Sequence, residues 1–190
     1  SDVYKRQMLG SNGNDLLKSY GGPDTLVGYD GNDTLVGGAG GDTIYGDNDN
    51  KDNGKDLLIG ARGSDWLHGK SGNDTIKAGS GADILKGGDG ADVLIGGGGA
   101  NYIWAGDDND VDTITVLTDG NFLGRMDHSK FDDLYELDPN DRIIMDVSGP
   151  ATLEFTSFGN GEIDIWVDNE LEAIVHGLSL SQVEDMTSLG

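Results

Sequence analysis

The chain has no cysteine in 190 residues. That excludes a disulfide framework and any thiolate metal site. Basic residues are scarce: 12 Lys and Arg stand against 35 Asp and Glu, for a formal charge of −23. Such a balance argues against nucleic acid or an anionic membrane as partner and suits a binder of cations. No apolar run approaches the roughly 20 residues of a membrane-spanning helix. Only 35% of the chain is hydrophobic, so a conventional core would be thin. What the chain has instead is 33 glycines, which cost chain entropy, and aspartates, which disfavour strands.

These residues are ordered with a period of nine. Frames beginning at Gly10, Ser19, Gly28 and Gly37 place Asp15, Asp24, Asp33 and Asp42 sixth. An insertion near 47–53, within "GDNDNKDNGKD", disturbs the next frame, which still supplies Asp56. The register resumes from Gly60, Gly69, Ala78, Gly87 and Gly96, giving Asp65, Asp74, Asp83, Asp92 and finally Asn101. The fourth place is always glycine, and the eighth is always Leu or Ile, from Leu17 and Leu26 to Leu94 and Ile103. A degenerate copy sits at "DVDTIT", with Asp112 and Ile114.

The pattern Gly-Gly-x-Gly-x-Asp-x-aliphatic-x resembles the RTX, or haemolysin-type, calcium-binding repeat. It runs from residue 10 to about 115. The resemblance implies an all-β chain: a parallel β-roll over 10–115, then a β-rich C-terminal cap over 116–190. In such a roll two nonapeptides complete one right-handed coil, and coils stack at about 4.8 Å. Alternation turns the eighth-place aliphatic inward and points Thr25, Thr34, Thr43, Thr75, Lys18, Lys77 and Lys86 outward.

Stacking sets Asp15 beside Asp33 and Asp24 beside Asp42, and likewise Asp56/Asp74, Asp65/Asp83 and Asp74/Asp92. Asp33/Asp56 and Asp42/Asp65 would have to span the insertion, and Asp83/Asn101 lacks one charge. Two carboxylates about 5 Å apart repel by roughly 1–3 kcal/mol at intermediate dielectric. One aliphatic in nine residues, worth about 2 kcal/mol when buried, does not offset that. Calcium does: it takes six to eight oxygens in irregular geometry, which turning carbonyls and carboxylates supply. Zinc lacks its nitrogen or sulfur ligands here, and magnesium wants a stricter octahedron. The expected metal ligands are Asp15, Asp24, Asp33, Asp42, Asp56, Asp65, Asp74, Asp83 and Asp92, holding about eight calcium ions. At dissociation constants near 10⁻⁴ M, millimolar calcium would add roughly 1.4 kcal/mol per site. The insertion offers an extra site through Asp47, Asp49 or Asp52, or else a solvated bulge; its likeness to an EF-hand loop fails at Lys51 and at Gly60, where the closing Glu would stand.

The first seven residues, "SDVYKRQ", match the translation of a transposon end used to prepare sequencing libraries. Residues 1–9 are therefore expected to be an adapter scar and lead-in, with 1–7 outside the fold. In the tail, "EIDIWV" alternates as an antiparallel strand does, "GNGE" suits a hairpin turn, and "LSLSQVEDM" suits a short helix. "FDDLYELDPNDRIIMDVSG" is similar to the strand-turn-strand that follows the repeats in serralysin-type proteases and alginate epimerase modules. Such regions carry an uncleaved signal for type I secretion.

Neither Gly-x-Ser-x-Gly nor His-Glu-x-x-His occurs, and His68, His128 and His176 lie in unrelated contexts. Asp138-Pro139 reads as an ordinary turn. The chain is therefore expected to be no enzyme itself, any catalytic domain lying upstream. The resemblance implies a calcium-binding module, secreted or at the cell surface, that folds on calcium after type I export. The alternatives are the non-catalytic end of a secreted protease, lipase or polysaccharide epimerase, and an adhesin segment that binds extracellular glycans. For the last, Tyr20, Tyr45, Trp66, Tyr102 and Trp104 are candidate surface residues.

Overall fold

The computed structural model describes residues 4–48, 54–106, 108, 110–117, 132–137, 141–146, 153–157, 162–167, 170–176 and 180–189. Each nonapeptide makes one strand around its aliphatic, and successive strands fall alternately into two sheets. β1 (Gln7–Leu9), β3 (Thr25–Val27), β5 (Thr43–Tyr45), β7 (Trp66–Ser71), β9 (Ile84–Asp89) and β11 (Tyr102–Trp104) follow one another in the first sheet. β2 (Leu16–Lys18), β4 (Thr34–Ala39), β6 (Leu57–Arg62), β8 (Thr75–Ser80), β10 (Val93–Gly98) and β12 (Thr113–Leu117) follow one another in the second. Every pairing among these strands is parallel. This is the parallel β-roll.

In-register stacking brings like residues together. Leu26, Ile44, Leu67, Leu85 and Ile103 form one inward column; Leu35, Leu58, Ile76, Leu94 and Ile114 form the facing one, and all are fully buried. Several strands run to six residues. The reason is that the glycine turns also pair with their neighbours, as in Ala61↔Gly79 and Gly79↔Gly97. That pairing fixes the second place of the nonapeptide in a positive-φ conformation: Gly79 has φ 111° and Gly97 has φ 86°. Tyr20, Tyr29, Ala61 and Lys70 occupy the same place and adopt it without being glycine.

Two expectations are corrected. Residues 6 and 7 are not outside the fold. Gln7 pairs with Thr25, and the Arg6 guanidinium lies 3.3 Å from the Asp24 carboxylate. Nor does the roll end at residue 115. β13 (Asp132–Tyr135) stacks in parallel on β11, and β14 (Arg142–Asp146) on β12. The segment likened to a strand-turn-strand is thus another coil, with one strand in each sheet. Alternation reads the same whether a strand's partner is parallel or antiparallel, so the sequence did not distinguish them.

The remaining elements grow from that coil. β17 (Glu170–His176) continues the first sheet in parallel with β13, and β18 (Thr187–Leu189) continues the second beside β14. β15 (Leu153–Ser157) and β16 (Glu162–Val167) then add antiparallel strands, as "EIDIWV" suggested. Leu180–Met186 is the expected short helix, α1. The "GNGE" turn, Asp138-Pro139, His128 and the insertion residues 49–53 lie outside the described residues. Among the described residues no helix is long and apolar enough to cross a membrane.

Candidate metal centre

The sixth-place aspartates line the two edges of the roll, where the glycine turns join the sheets. The side chains of Asp24, Asp33, Asp42, Asp56, Asp65, Asp74, Asp83 and Asp92 are all buried. Asp15, in the first coil, is half-buried. Asp33, Asp42, Asp56, Asp65, Asp74, Asp83 and Asp92 each accept, through Oδ1, a hydrogen bond from the amide of the aspartate one coil before. The Asp56 amide donates to Asp74 Oδ1 at 2.8 Å, Asp65 to Asp83 at 2.8 Å and Asp74 to Asp92 at 2.7 Å. Asp15 meets Asp33 and Asp24 meets Asp42 in the same way. The two pairs that span the insertion also form: Asp33 to Asp56 at 2.8 Å and Asp42 to Asp65 at 2.7 Å, each across 23 residues. Asp83 meets the amide oxygen of Asn101 at 3.0 Å.

The second oxygen is the informative one. Oδ2 of Asp42, Asp65, Asp74, Asp83 and Asp92 is buried and receives no hydrogen bond from the described residues. A buried polar atom without a partner costs about 1–3 kcal/mol, and more when it is charged. For Asp42, Asp65, Asp74 and Asp92 that atom borders a gap left by a first-place glycine. A Cβ on Gly60 would overlap Asp65 Oδ2 and lie 2.7 Å from the Ala78 carbonyl oxygen. One on Gly69 would overlap Asp74 Oδ2 and lie 2.8 Å from the Gly87 carbonyl oxygen. The gap is thus walled by one carboxylate oxygen and one carbonyl oxygen of the next coil, the hard ligands that calcium takes. Among the described residues no three carboxylate or imidazole side chains converge on one point. A shell here must draw on backbone carbonyls, as a turn rich in glycine allows.

The electrostatics agree. Burial pushes the Asp92 carboxyl up to about 9, with Asp74, Asp112 and Asp108 adding repulsion. Burial likewise raises Asp65 and Asp74 to about 7 and Asp83 to about 6. Asp42 is raised for the same reason. In each case the amide bond from the preceding aspartate opposes the rise. Without a cation these carboxylates are held where ionisation is expensive.

The column is not uniform. Asp15 Oδ2 accepts from the Ser11 amide at 2.6 Å and its hydroxyl at 3.0 Å. Asp24 is held by Arg6. Ser19 fills the first place above Asp24, and its hydroxyl donates to the Gly37 carbonyl at 2.5 Å. Ala78, fully buried, fills the first place above Asp83. The sequence reading kept Asp112, of the degenerate copy, and Asp47, of the insertion, out of its ligand set and passed over Asp141. Asp112 and Asp141 are buried and continue the aspartate ladder, and Asp47 is buried near enough to Asp74 to raise its pKa.

Some rings stack on one another, while Tyr20, Trp66 and Tyr102 stay exposed. Trp104 lies on Tyr135 with centroids 4.9 Å apart, and Tyr135 lies on His176 at 4.3 Å. The Lys86 ammonium sits 4.9 Å over Trp104. His68, half-buried, is lowered to about 4 by burial and then by Lys70 and Lys86.

A profile of the RTX calcium-binding nonapeptide repeat (4 copies) matches residues 9–44, 52–85 and 77–112, just over half of the chain. No curated protein matches. Among solved structures, the extracellular lipase LipA from Serratia marcescens aligns with 100% of this chain at 17% identity and a TM-score of 0.36. The chain spans only 40% of that lipase, and a score so low decides nothing about it. The period, the stacked aspartates and the profile agree: the chain belongs to the RTX calcium-binding nonapeptide repeat family.

Proposed function

We propose that this chain is a calcium-folded module of a secreted protein, exported through a type I channel and compacted outside the cell. Asp15, Asp24, Asp33, Asp42, Asp56, Asp65, Asp74, Asp83 and Asp92 are the side-chain ligands, and about eight ions occupy the two edges. Any catalytic or adhesive activity belongs to sequence outside the repeats. One observation carries the reading: the buried Oδ2 atoms of Asp65, Asp74 and Asp92, without a hydrogen bond from the described residues, face gaps whose other wall is a carbonyl oxygen. A calcium ion satisfies both oxygens at once. Bound ions would also offset about two charges each, relieving the self-repulsion of a −23 chain.

Calcium counted by equilibrium dialysis tests this. Wild type should bind several ions. Asp74→Ala should bind fewer and need more calcium to fold, because Asp74 serves both Asp56 and Asp92. Asn101→Ala should shift the midpoint less. A wild-type chain that binds no calcium would refute the proposal.

A further inference from the structure

The outer face of the first sheet is charged opposite to the chain as a whole. The sixth-place aspartates sit at the edges of the roll, whereas the outward places of this sheet carry rings, histidine and lysine. The ninth place runs Tyr45, His68, Lys86 and Trp104 in parallel register. Trp66 and Tyr102, at the seventh place, are 41% and 45% exposed. Across β1, β3, β5, β7, β9 and β11 the one acidic residue is Asp89, at the far end of β9. Acids return at β13, where Asp133 is in register with Tyr102.

These groups are arranged rather than scattered. The Lys86 ammonium sits 4.9 Å over the Trp104 ring and 5.9 Å over that of Trp66, and the Lys70 ammonium sits 5.5 Å over Tyr45. Lys70 keeps its place at φ 92°, where the paired residue of the next coil is Gly88. A side chain adopts that backbone only at a cost. Burial and the two ammonium groups lower His68 to about 4, so a neutral imidazole lies beside two cations. Among the described residues neither ammonium makes an ion pair.

We propose that this face docks an acidic polypeptide, whose carboxylates meet Lys70 and Lys86 while its apolar side chains cover Trp66 and Tyr102. Unpaired cations beside exposed Trp and Tyr are the complement of such a partner. The strands beneath are interior to a 10-stranded sheet, so their backbone groups are already used. The partner therefore docks through side chains, not by adding a strand. A glycan would stack its sugars on open ring faces, but lysines lie over Tyr45, Trp66 and Trp104. The charge of −23 opposes an acidic partner from afar. Salt screens that repulsion beyond about 8 Å, and calcium at the edges, on the reading proposed above, offsets much of it.

Poly-L-glutamate is the probe, added to the full chain at fixed millimolar free calcium. Binding is followed by tryptophan fluorescence, and located by lysine acetylation read by mass spectrometry. Wild type should bind, less tightly as salt rises, and acetylation of Lys70 and Lys86 should drop while that of Lys18 and Lys77 does not. Changing Lys70→Gln and Lys86→Gln together should weaken binding roughly tenfold or more. Lys77→Gln, on the other sheet, should leave it unchanged. An unchanged affinity in the double variant would overturn the proposal. So would a wild-type chain that takes up calcium yet binds no poly-L-glutamate, a result that leaves the reading of the repeats standing. Hyaluronate, a carboxylated glycan, is the competing probe; tighter binding of it at equal charge would make this a glycan surface and sink the proposal. Should the double variant not fold, labelling of wild type decides: shielding of Lys70 and Lys86 supports the face, and shielding only elsewhere overturns it.

Discussion

The Asp74 backbone amide donates to Asp92 Oδ1 at 2.7 Å, and Asp92 Oδ2 is left buried with no donor among the described residues. One carboxylate thus has two jobs. The first oxygen locks the coil before it; the second is available to a cation. The same division holds at Asp65 and Asp74, which is why the folded chain and the loaded chain should be nearly the same thing.

Gly69→Ala should disable one such place without touching a carboxylate. Its Cβ would overlap Asp74 Oδ2 and crowd the Gly87 carbonyl. The calcium midpoint for folding, followed by circular dichroism, should rise roughly tenfold, the equivalent of about 1.4 kcal/mol. Gly98→Ala is the control, because nothing lies within 4 Å of its Cβ, and its midpoint should stay near wild type.

Acid should partly replace calcium. The folded, calcium-free chain holds Asp65 and Asp74 near 7, Asp83 near 6 and Asp92 near 9, chiefly through burial. The unfolded chain titrates near 3.8. Between those values the folded state binds more protons, so its stability falls as pH rises. The cost is absent below about 4 and fully felt only above the folded values. His68 works in the opposite direction: its folded value near 4 lies below 6.5, so its contribution is present above 6.5 and lost as pH falls toward 4. One imidazole opposes four carboxyls, and the carboxyls prevail. In calcium-free buffer the β-signal should therefore grow from pH 8 to pH 5. A signal that falls over that range would contradict the burial of these side chains.

Ala61→Gly should stabilise the roll. Ala61 has φ 84°, at the turn place where Gly79, Gly88 and Gly97 are also positive. A side chain there costs roughly 1 kcal/mol that glycine does not incur. The loaded protein should melt a few degrees higher; a lower melting temperature would mean that the alanine is not strained.

Much of this was legible in the sequence because the period is rigid. Counting by nine located the inward columns from Leu26 to Ile103, and all are fully buried. It also located the aspartate pairs, including those across the insertion, since five extra residues lengthen a turn without moving Asp56 off its edge. What failed to show were features that lack a period. Asp141 lies 29 residues beyond Asp112, of the degenerate copy, so only the folded chain aligns it. The carbonyl oxygens that wall the gaps, such as those of Gly87 and Ala105, carry no side-chain signature at all. The outward aromatics could be placed on a face but not oriented. Trp104, Tyr135 and His176 turn out to cover one another's faces, which takes rings away from a glycan platform.

The central claim is that cations, not apolar burial, hold these coils together. Far-UV circular dichroism of the chain at neutral pH, in chelator and then in millimolar calcium or magnesium, tests it most directly. The expected result is coil in chelator, a cooperative β-signal with calcium, and no such signal with magnesium. A full β-signal in chelator that calcium leaves unchanged would contradict the account.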